Sequence, residues 1–357
     1  MRRTESRRAK KKGRLKRFLL FLTLILGLTI LSYAGYVGFQ MYTAWNKIYD
    51  GGTGAGQAKE DSEEERTQVS HTEPFSVLLL GVDSQGMGDT LKGRSDSMML
   101  AVVNPEKEKV SLLSIPRDTY VTIADTGEET KINHALYGGV ERSKKTVENF
   151  LGIDIDYWFA LNFEAFEAFI DDVMNGVEVE VEKNIPHEKD PTVTYIPQGR
   201  QVLNGEEALY YVRFRKDREG DFGRMRRQRQ MVGEIMDQSL NLRTVSKVSE
   251  ILNIMGDNVR TNIPPSELLN MATTFSSMTS DNLETMQMEG DARYASDGIS
   301  YVFVPEEERQ RVQEELNRLL NPALAQEEDR SIQTEARDEE TDQTESRFTP
   351  SSQPQTP

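Results

Sequence analysis

An uncharged run near the start of the chain restricts its fold more than any other feature. No charged residue occurs between positions 18 and 46, and residues 18–38 are dense in Leu, Ile, Phe and Val. A helix of about 20 apolar residues spans the roughly 30 Å hydrocarbon core of a bilayer. We therefore predict a transmembrane helix over residues 18–39, with the part of the chain that follows it folding on one side of a membrane.

The residues that flank this run predict its orientation. Residues 1–17 carry ten Lys/Arg against one acid, Glu5, so they are expected to stay in the cytoplasm. Tyr36 and Trp45 lie toward the other end, where aromatic rings favour the membrane interface. A cleavable signal peptide is the alternative, but it would have a shorter apolar run and an Ala-x-Ala site. A retained single-pass anchor in the cell membrane, with an extracellular body, is the favoured interpretation.

Charge and cysteine content exclude several classes of protein. The whole chain carries −16, and its basic start carries +9, so the remainder carries −25. Nucleic-acid binding needs surplus Lys/Arg, so we expect no nucleic-acid partner. The absence of cysteine excludes disulfides, zinc–thiolate sites and cysteine nucleophiles.

Composition also divides the chain. Residues 40–74, rich in Gly and Glu, predict a flexible acidic linker. Residues 321–357 are rich in Glu, Asp, Gln, Thr and Pro and predict a disordered acidic tail. A single extracytoplasmic domain over residues 75–320 remains.

The pattern within this domain predicts an α/β fold. Short apolar runs predict buried strands at 75–80, 98–103 and 110–115, the last two joined as an antiparallel hairpin by the polar segment 104–109. Further elements are a helix at 131–151, a strand at 157–161, a helix at 163–174, a strand at 177–181, a helix after Asn204, and helices at 221–240, 245–255, 266–278 and 306–320. This alternation predicts a mixed central β-sheet flanked by helices.

Charged residues are predicted to converge at one edge of that sheet. Asp83 follows the first strand, Asp96 precedes the second, and Arg117 and Asp118 follow the third. Paired carboxylates from separate loops suit Mg²⁺, and arginine forks match phosphate oxygens. Taken singly, each charge is more often a solvated or salt-bridged loop residue.

A second basic group reinforces this hypothesis. Arg213 and Arg215 are two apart, so an extended segment would point both the same way. Arg224, Arg227 and Gln228 are spaced to share one face of the predicted helix. Arginines in a first helical turn oppose the helix dipole, a conflict that a bound anion would resolve. The alternative is a basic face that is solvated or paired with this chain's many acids.

Other sources of chemistry are not evident in the sequence. The three histidines, His71, His134 and His187, are scattered without ligand spacing, so we expect no histidine metal site. The sequence has no Gly-x-Ser-x-Gly, P-loop or dinucleotide-binding motif.

Taken together, these segments resemble the LytR-CpsA-Psr family. The similarity is carried, in this order, by residues 79–84 (LLGVDS), 94–100 (RSDSMML), 110–118 (VSLLSIPRD), 131–135 (KINHA), 152–157 (GIDIDY), 203–209 (LNGEEAL), 212–215 (VRFR) and 221–224 (DFGR). The resemblance implies a mixed α/β domain that takes a glycopolymer from a polyprenyl-pyrophosphate carrier. It also implies transfer of the glycan phosphate to peptidoglycan, as in wall teichoic acid attachment.

The resemblance also implies roles for individual residues. Asp83 and Asp96 would hold a divalent metal, Mg²⁺ or Mn²⁺, and Asp221 would brace the arginines. The pyrophosphate would be surrounded by Arg94, Arg117, Lys131, Arg213, Arg215, Arg224 and Gln228, with Arg117 closest to the chemistry. Gln85 departs from the family, in which many members have arginine.

The expected reaction is in-line attack by a sugar hydroxyl on the substrate's proximal phosphorus, with polyprenyl phosphate leaving. Arg117 is too basic to accept a proton, so an aspartate is the expected base. Three alternatives stay open: a membrane-tethered polyprenyl-pyrophosphate binding protein, a pyrophosphatase that uses water as acceptor, and a transcriptional regulator. The regulator would need its body in the cytoplasm, against the predicted topology.

Overall fold

The computed structural model describes Tyr49, residues 73–83, 93–239, 258–264, Glu267, Met271 and residues 278–322. The predicted basic segment, the transmembrane helix, nearly all of the linker and tail, Gln85, the helix at 245–255 and most of the helix at 266–278 lie outside these residues. Within the described ranges, no helix combines the length and apolarity needed to cross a bilayer.

A six-stranded mixed sheet forms the centre of the domain, as predicted. Its strands are β1 (Phe75–Asp83), β2 (Arg94–Asn104), β3 (Lys109–Ser114), β6 (Tyr157–Asn162), β11 (Val259–Thr261) and β12 (Leu283–Met286), and their order across the sheet is β11-β6-β1-β2-β3-β12. β1 pairs antiparallel with β2 and parallel with β6, and β2 pairs antiparallel with β3. The predicted hairpin is therefore confirmed. Because β2 is antiparallel to both neighbours, its first residues lie beside the last residues of β1 and β3.

Four two-stranded sheets lie outside the central sheet. They pair β4 (Tyr120–Thr122) with β5 (Glu129–Lys131), β7 (Val177–Val181) with β10 (Gly199–Leu203), β8 (Ile185–Pro186) with β9 (Thr194–Ile196), and β13 (Asp291–Tyr294) with β14 (Ser300–Phe303). The alternating strand predicted at 177–181 is confirmed, with its valines buried and its glutamates facing outward.

Five α-helices complete the described part of the domain. They are α1 (Val140–Leu151), α2 (Phe163–Ala168), α3 (Gly205–Arg213), α4 (Gly220–Ser239) and α5 (Glu306–Leu320). The helices predicted at 221–240, at 306–320 and after Asn204 are confirmed. The range predicted as one helix, 163–174, contains two helix types: the α-helix α2 is followed directly by a π-helical stretch at Phe169–Met174.

The single helix predicted at 131–151 is wrong. Lys131 ends β5, a 3₁₀ helix occupies Ile132–Gly138, and α1 begins only at Val140. Gly139 separates the two helices with φ at +96°, a conformation that residues with a side chain rarely adopt. The apolar spacing continued across this glycine and concealed the break.

Successive side chains of β1 point to opposite faces of the sheet, one facing the main core and the other facing the candidate site. Leu78 and Leu80 are completely buried and belong to the main core, which also contains Val147 of α1 and Leu316 of α5. Each such fully buried leucine stabilises the fold by about 2 kcal/mol. Because strand side chains alternate, Leu79 faces the opposite side of the sheet, where α4 contributes partly buried apolar residues. The candidate site lies on this second side.

Candidate active site

A cavity of about 900 Å³ lies between this second face of the sheet and the helices α2, α3 and α4. Much of its wall is apolar and includes Leu79, Phe159, Phe163, Phe166, Phe169 and Met231. Phe163, Phe166 and Phe169 follow one another at three-residue spacing, so successive helical turns present a ring to the cavity. Such a cavity can take a long hydrocarbon chain.

Six of the predicted site residues line the same cavity: Asp96, Arg117, Arg213, Arg215, Arg224 and Gln228. They come from β2, from the segment after β3, and from the end of α3 and the start of α4. Gln228 and Ser97 are joined by a 3.2 Å hydrogen bond, which ties α4 to β2. The structure therefore brings together side chains that are more than a hundred positions apart in the chain.

A β-bulge sets the direction of Asp96. Gly81 is paired with Ser97 and Val82 with Ser95, so Asp96 is an extra residue on β2. Bulges often re-aim side chains beside active sites, and here Asp96 and Ser97 both line the cavity. The prediction that Asp83 and Asp96 flank their strands is wrong, because pairing continues past the bulge. Asp83 is the last residue of β1, and Asp96 lies inside β2.

Arg117 is the centre of a chain of ion pairs. Its guanidinium lies 2.5 Å from a carboxylate oxygen of Asp96 and 3.7 Å from one of Asp118. Lys131 pairs with the other oxygen of Asp118 at 2.7 Å. Burial acts to raise the pKa of Asp118, but the hydrogen bond from Lys131 and the charge of Arg117 outweigh it and hold that pKa below its ordinary value. Asp118 is therefore ionised and fixes both cations.

Arg224 carries a positive charge into the wall of the cavity. It is only 5% exposed, and its nearest carboxylate, Asp221, is 3.5 Å away. Its Nε is buried without a hydrogen-bond partner among the described residues. Burial lowers the pKa of Arg224, with Arg117 and Arg215 adding repulsion. A buried charge with so little compensation is energetically unfavourable, and a bound anion would supply the missing negative charge.

Arg213 reaches the site from a helix, so the extended segment predicted for Arg213 and Arg215 is wrong. The capping box of Asn204 and Glu207 starts α3, which continues to Arg213. The Arg213 guanidinium lies 4.3 Å from the centre of the Phe163 ring and 3.9 Å from a carboxylate oxygen of Asp83. It thus lies where the apolar wall meets the charged cluster.

Arg227 does not share the cavity face with Arg224 and Gln228, contrary to the prediction from spacing. It is 2% exposed, pairs with Asp217 at 2.9 Å and donates to the backbone carbonyl of Phe214. These contacts fix the turn between α3 and α4, which carries Arg215. Arg227 is therefore a structural residue.

Replacing Arg227 tests this assignment. Arg227→Ala is expected to lower the free energy of unfolding by about 2 kcal/mol, because it leaves Lys183 as the remaining ion-pair partner of a largely buried Asp217 and removes the hydrogen bond to the Phe214 carbonyl. The pKa of Asp217 is below its ordinary value because hydrogen bonds from Lys183 and Arg227 outweigh burial. The share of the stabilisation that comes from the Arg227–Asp217 ion pair is thus present at neutral pH and is lost as the pH falls through that lowered pKa, so the stability difference between variant and wild type should narrow in acid. Denaturant titration measures both effects, with Arg226→Ala, which removes only surface ion pairs, as the control.

Two of the predicted phosphate ligands do not line the cavity. Arg94 is exposed and donates from Nε to the Tyr137 hydroxyl at 2.7 Å. Lys131 lies against Asp118 and 5.8 Å from the centre of the Tyr301 ring. Both lie near the ion-pair chain, but outside the cavity wall. Sequence reasoning assigned no role to Tyr137, and no spacing rule linked it to Arg94.

The predicted metal ligands offer a chemically suitable donor set. Asp83 and Asp96 are partly exposed carboxylates on neighbouring strands, each facing an arginine. Among the described residues, no three His, Cys, Asp or Glu side chains are grouped so that they could hold a metal ion. Mg²⁺ is often held by one or two carboxylates, with phosphate and water completing its shell, so this pair fits such an ion when phosphate is present.

Comparison with known proteins places the chain in a family. Residues 42–318 match the LytR_cpsA_psr family model, and the chain belongs to that family. It is 35% identical over 298 residues to the "Polyisoprenyl-teichoic acid--peptidoglycan teichoic acid transferase TagU" of Bacillus cereus, which covers 83% of this chain and 95% of the relative. The resemblance drawn from the sequence motifs is thereby confirmed.

Solved structures of related proteins resemble the fold. One is the LytR-CPS2A-psr family protein YwtF (TagT) with bound octaprenyl pyrophosphate lipid, with TM-score 0.55, 30% identity, and coverage of 71% of this chain and 94% of the other. Another is TagT bound to LI-WTA, with TM-score 0.58, 31% identity, and coverage of 71% and 94%.

Proposed function

We propose that this protein is a phosphotransferase that moves an anionic glycopolymer, such as wall teichoic acid, from a polyprenyl-pyrophosphate carrier to peptidoglycan. One observation carries the proposal: under-compensated arginines, Arg224 above all, lie in the wall of a large apolar cavity. A ligand that satisfies both features is an anion joined to a long apolar chain. A TagT relative holds octaprenyl pyrophosphate, a molecule of that kind.

The polyprenyl chain would occupy the apolar part of the cavity, against Phe163, Phe166 and Met231. The pyrophosphate would lie against Arg117, Arg213 and Arg224, whose planar guanidinium groups can each give two hydrogen bonds to phosphate. The glycan would then extend outward past the strand edge. In this arrangement the Arg117–Asp96 pair opens to let Arg117 contact phosphate.

The reaction would be an in-line displacement at the phosphorus that bears the glycan. A peptidoglycan hydroxyl forms the new P–O bond and loses its proton, while the P–O bond to polyprenyl phosphate breaks and that group leaves with the electron pair. Such a transfer depends on alignment and on neutralising charge at the phosphoryl oxygens. Arg117, Arg213 and Arg224 supply fixed positive charge for this purpose.

A divalent cation, Mg²⁺ or Mn²⁺, is part of the proposal. Asp83 and Asp96 would hold it, and it would add charge neutralisation at the pyrophosphate. Asp221, 3.5 Å from Arg224, would keep that guanidinium oriented during the reaction.

The proposed location is the outer face of the cell membrane. The apolar run at residues 18–39 would anchor the chain with its basic N-terminus in the cytoplasm. An anchored enzyme would meet its lipid-linked donor in the same bilayer. Protease treatment of intact cells tests the topology, since a protected domain would contradict it.

Reconstitution tests the activity. Full-length protein, a lipid-linked glycopolymer, peptidoglycan and Mg²⁺ are incubated, and digested wall fragments are analysed by mass spectrometry. The proposal predicts a phosphodiester-linked glycan–muropeptide and one polyprenyl monophosphate per transfer. Released glycan phosphate without a muropeptide adduct would indicate a pyrophosphatase, and donor binding without products would indicate a binding protein. Either result would overturn the transferase.

Replacing a proposed metal ligand gives a separate prediction. Asp96→Asn is expected to raise the Mg²⁺ concentration needed for half-maximal activity by about tenfold or more, because a neutral amide is a weaker ligand than a carboxylate. A Mg²⁺ titration measures the shift. Asp172→Asn, an exposed acid in the π-helical stretch outside the cavity wall, is the control. An unchanged Mg²⁺ requirement in Asp96→Asn would remove this residue from the metal site.

A further inference from the structure

Tyr49 is the described residue nearest in sequence to the predicted membrane helix, and it pairs with the central sheet. It forms an isolated parallel β-bridge with Thr261 of β11. β11 is the outermost of the six strands on its side, and β6 pairs with its inner side, where Thr261 lies opposite Phe159. Tyr49 therefore lies along the outer side of β11, although it belongs to a range whose composition predicts a flexible linker.

The strand that receives Tyr49 is held firmly by β6. Thr261 is 1% exposed, and its hydroxyl donates to the Trp158 carbonyl at 2.6 Å. The side chain of Asn262 accepts a hydrogen bond from the Trp158 amide at 2.7 Å. The outer side of such a strand presents backbone groups that proteins usually cover. Tyr49 thus supplies a backbone partner to a fixed edge of the sheet.

The pairing register places Tyr49 on the cavity side of the sheet. Residues directly opposite each other on neighbouring strands point to the same face, and alternate residues along one strand share a face. Val259 and its partner Leu161 both line the cavity, as does Phe159, the partner of Thr261. Thr261 and the opposite residue Tyr49 therefore share the face on which the cavity lies.

The cavity extends across the sheet from this edge to the arginine cluster. Val259 of β11 lines one side of it, and Asp96 of β2 and Arg117 line the other. β11 is three strands from β2, so the two sides are roughly 15 Å apart at about 4.8 Å per strand. A pyrophosphate held at Arg117 would therefore leave its hydrocarbon chain directed toward the edge where Tyr49 lies.

The bridge also shortens the tether between the domain and the predicted anchor. Residues 40–49 connect the end of the apolar run to the bridge. An extended chain spans at most about 3.5 Å per residue, so the β11 edge lies within about 35 Å of the end of that run. Without the bridge the tether would continue to β1 at Phe75 and would be about three times as long.

We propose that Tyr49 fastens the membrane-proximal chain to β11, so that this side of the cavity faces the bilayer and admits the polyprenyl chain of a membrane-embedded donor. The inference rests on the proposed transferase function and on the predicted anchor. It names the side by which the lipid enters, whereas the proposed function names only where the lipid binds. The arginine cluster is not altered by the fastening, so a donor dissolved in detergent does not depend on it.

Photo-crosslinking of the full-length protein tests the docking without any activity. Tyr49 is replaced by p-benzoylphenylalanine, which keeps an aromatic ring, and the protein is irradiated in phosphatidylglycerol liposomes. Mass spectrometry of the digest should find position 49 joined to residues 258–264. The control places the same photoreactive residue at Tyr294, which is 78% exposed on β13 and should give no crosslink to β11. Failure of position 49 to crosslink to residues 258–264 would overturn the docking.

Two insertions test the consequence for transfer from a donor embedded in the same liposomes at low density. A flexible Gly/Ser insert of about 16 residues is placed after residue 43 or after residue 57. If Tyr49 is docked, only the first insert lengthens the tether, from roughly 10 to roughly 26 residues. That insert should lower the rate about fourfold, because effective concentration falls as about the −3/2 power of tether length. The second should leave the rate unchanged, and with a donor in detergent both should match the wild type.

The two inserts are matched controls for each other. Equal losses from both would show that the domain is tethered from β1, and no loss from either would show that distance from the bilayer does not limit lipid entry. Either result would overturn the proposal. A wild type that forms no phosphodiester product would instead overturn the transferase, and the crosslinking result would still decide whether Tyr49 is docked.

Discussion

Arg117→Ala is expected to lower glycan transfer by about 10³-fold or more. Removing one fixed donor to a developing oxyanion typically costs 10²–10³-fold, and arginines that stabilise a phosphoryl transition state contribute about 10³–10⁵-fold. Arg117 bonds Asp96 at 2.5 Å and is tied through Asp118 to Lys131. Its loss therefore removes a positive charge and loosens the two carboxylates that orient the cluster.

The fold should survive this substitution. Arg117 and Asp96 are each almost one-fifth exposed, so water can solvate the carboxylate that is left. Single-turnover transfer from a purified donor measures the rate, and a melting curve checks the fold. Arg117→Lys should recover only part of the rate, because an ammonium group lacks the planar fork. Arg226→Ala on α4, outside the cavity wall, is the control. A folded Arg117→Ala with undiminished turnover would refute the role of Arg117.

Arg224→Met should separate binding from stability. Methionine has similar length and no charge, so it relieves a buried guanidinium whose nearest carboxylate is 3.5 Å away. Replacing an under-compensated buried charge with an apolar side chain is often neutral or stabilising, and we expect the free energy of unfolding to stay level or to rise by about 1 kcal/mol. Donor affinity should fall by roughly 10- to 100-fold, because a charge-assisted hydrogen bond contributes about 1.5–3 kcal/mol.

The pair of measurements decides what Arg224 does. Denaturant titration gives the stability, and competition with a fluorescent polyprenyl pyrophosphate gives the affinity. Arg200→Met, which removes an exposed arginine paired with Glu178 on β7, should leave donor binding unchanged. A destabilised Arg224→Met that binds the donor normally would make Arg224 a structural residue like Arg227.

The sequence predicted the strands more reliably than the positions of the site residues within them. Continuous apolar runs and the polar turn at 104–109 were sufficient for the β2–β3 hairpin, and hence for the convergence of Asp96 and Arg117. Apolar periodicity does not reveal a β-bulge, because a bulge depends on the partner strand. The extra position of Asp96 therefore required the structure.

The arginines of α4 illustrate a second limit of prediction from the sequence. Arg224 and Arg227 lie in one helical turn and have the same side chain, yet one lines the cavity and the other holds Asp217. The difference arises from where the loop before α4 places Asp217, which spacing along α4 does not contain. Similarly, the apolar wall is built from separate elements, although the three-residue spacing of Phe163, Phe166 and Phe169 was a signal that could have been used.

The central claim is that one site combines an apolar cavity with an arginine cluster. Its most direct test is a calorimetric comparison of octaprenyl pyrophosphate, octaprenol and inorganic pyrophosphate as ligands of the purified protein with Mg²⁺. Octaprenyl pyrophosphate should bind tightest by about 100-fold or more, since it alone engages both parts, and Arg224→Met should remove most of that advantage. Equal affinities for octaprenyl pyrophosphate and inorganic pyrophosphate, or an advantage that survives in Arg224→Met, would contradict the claim.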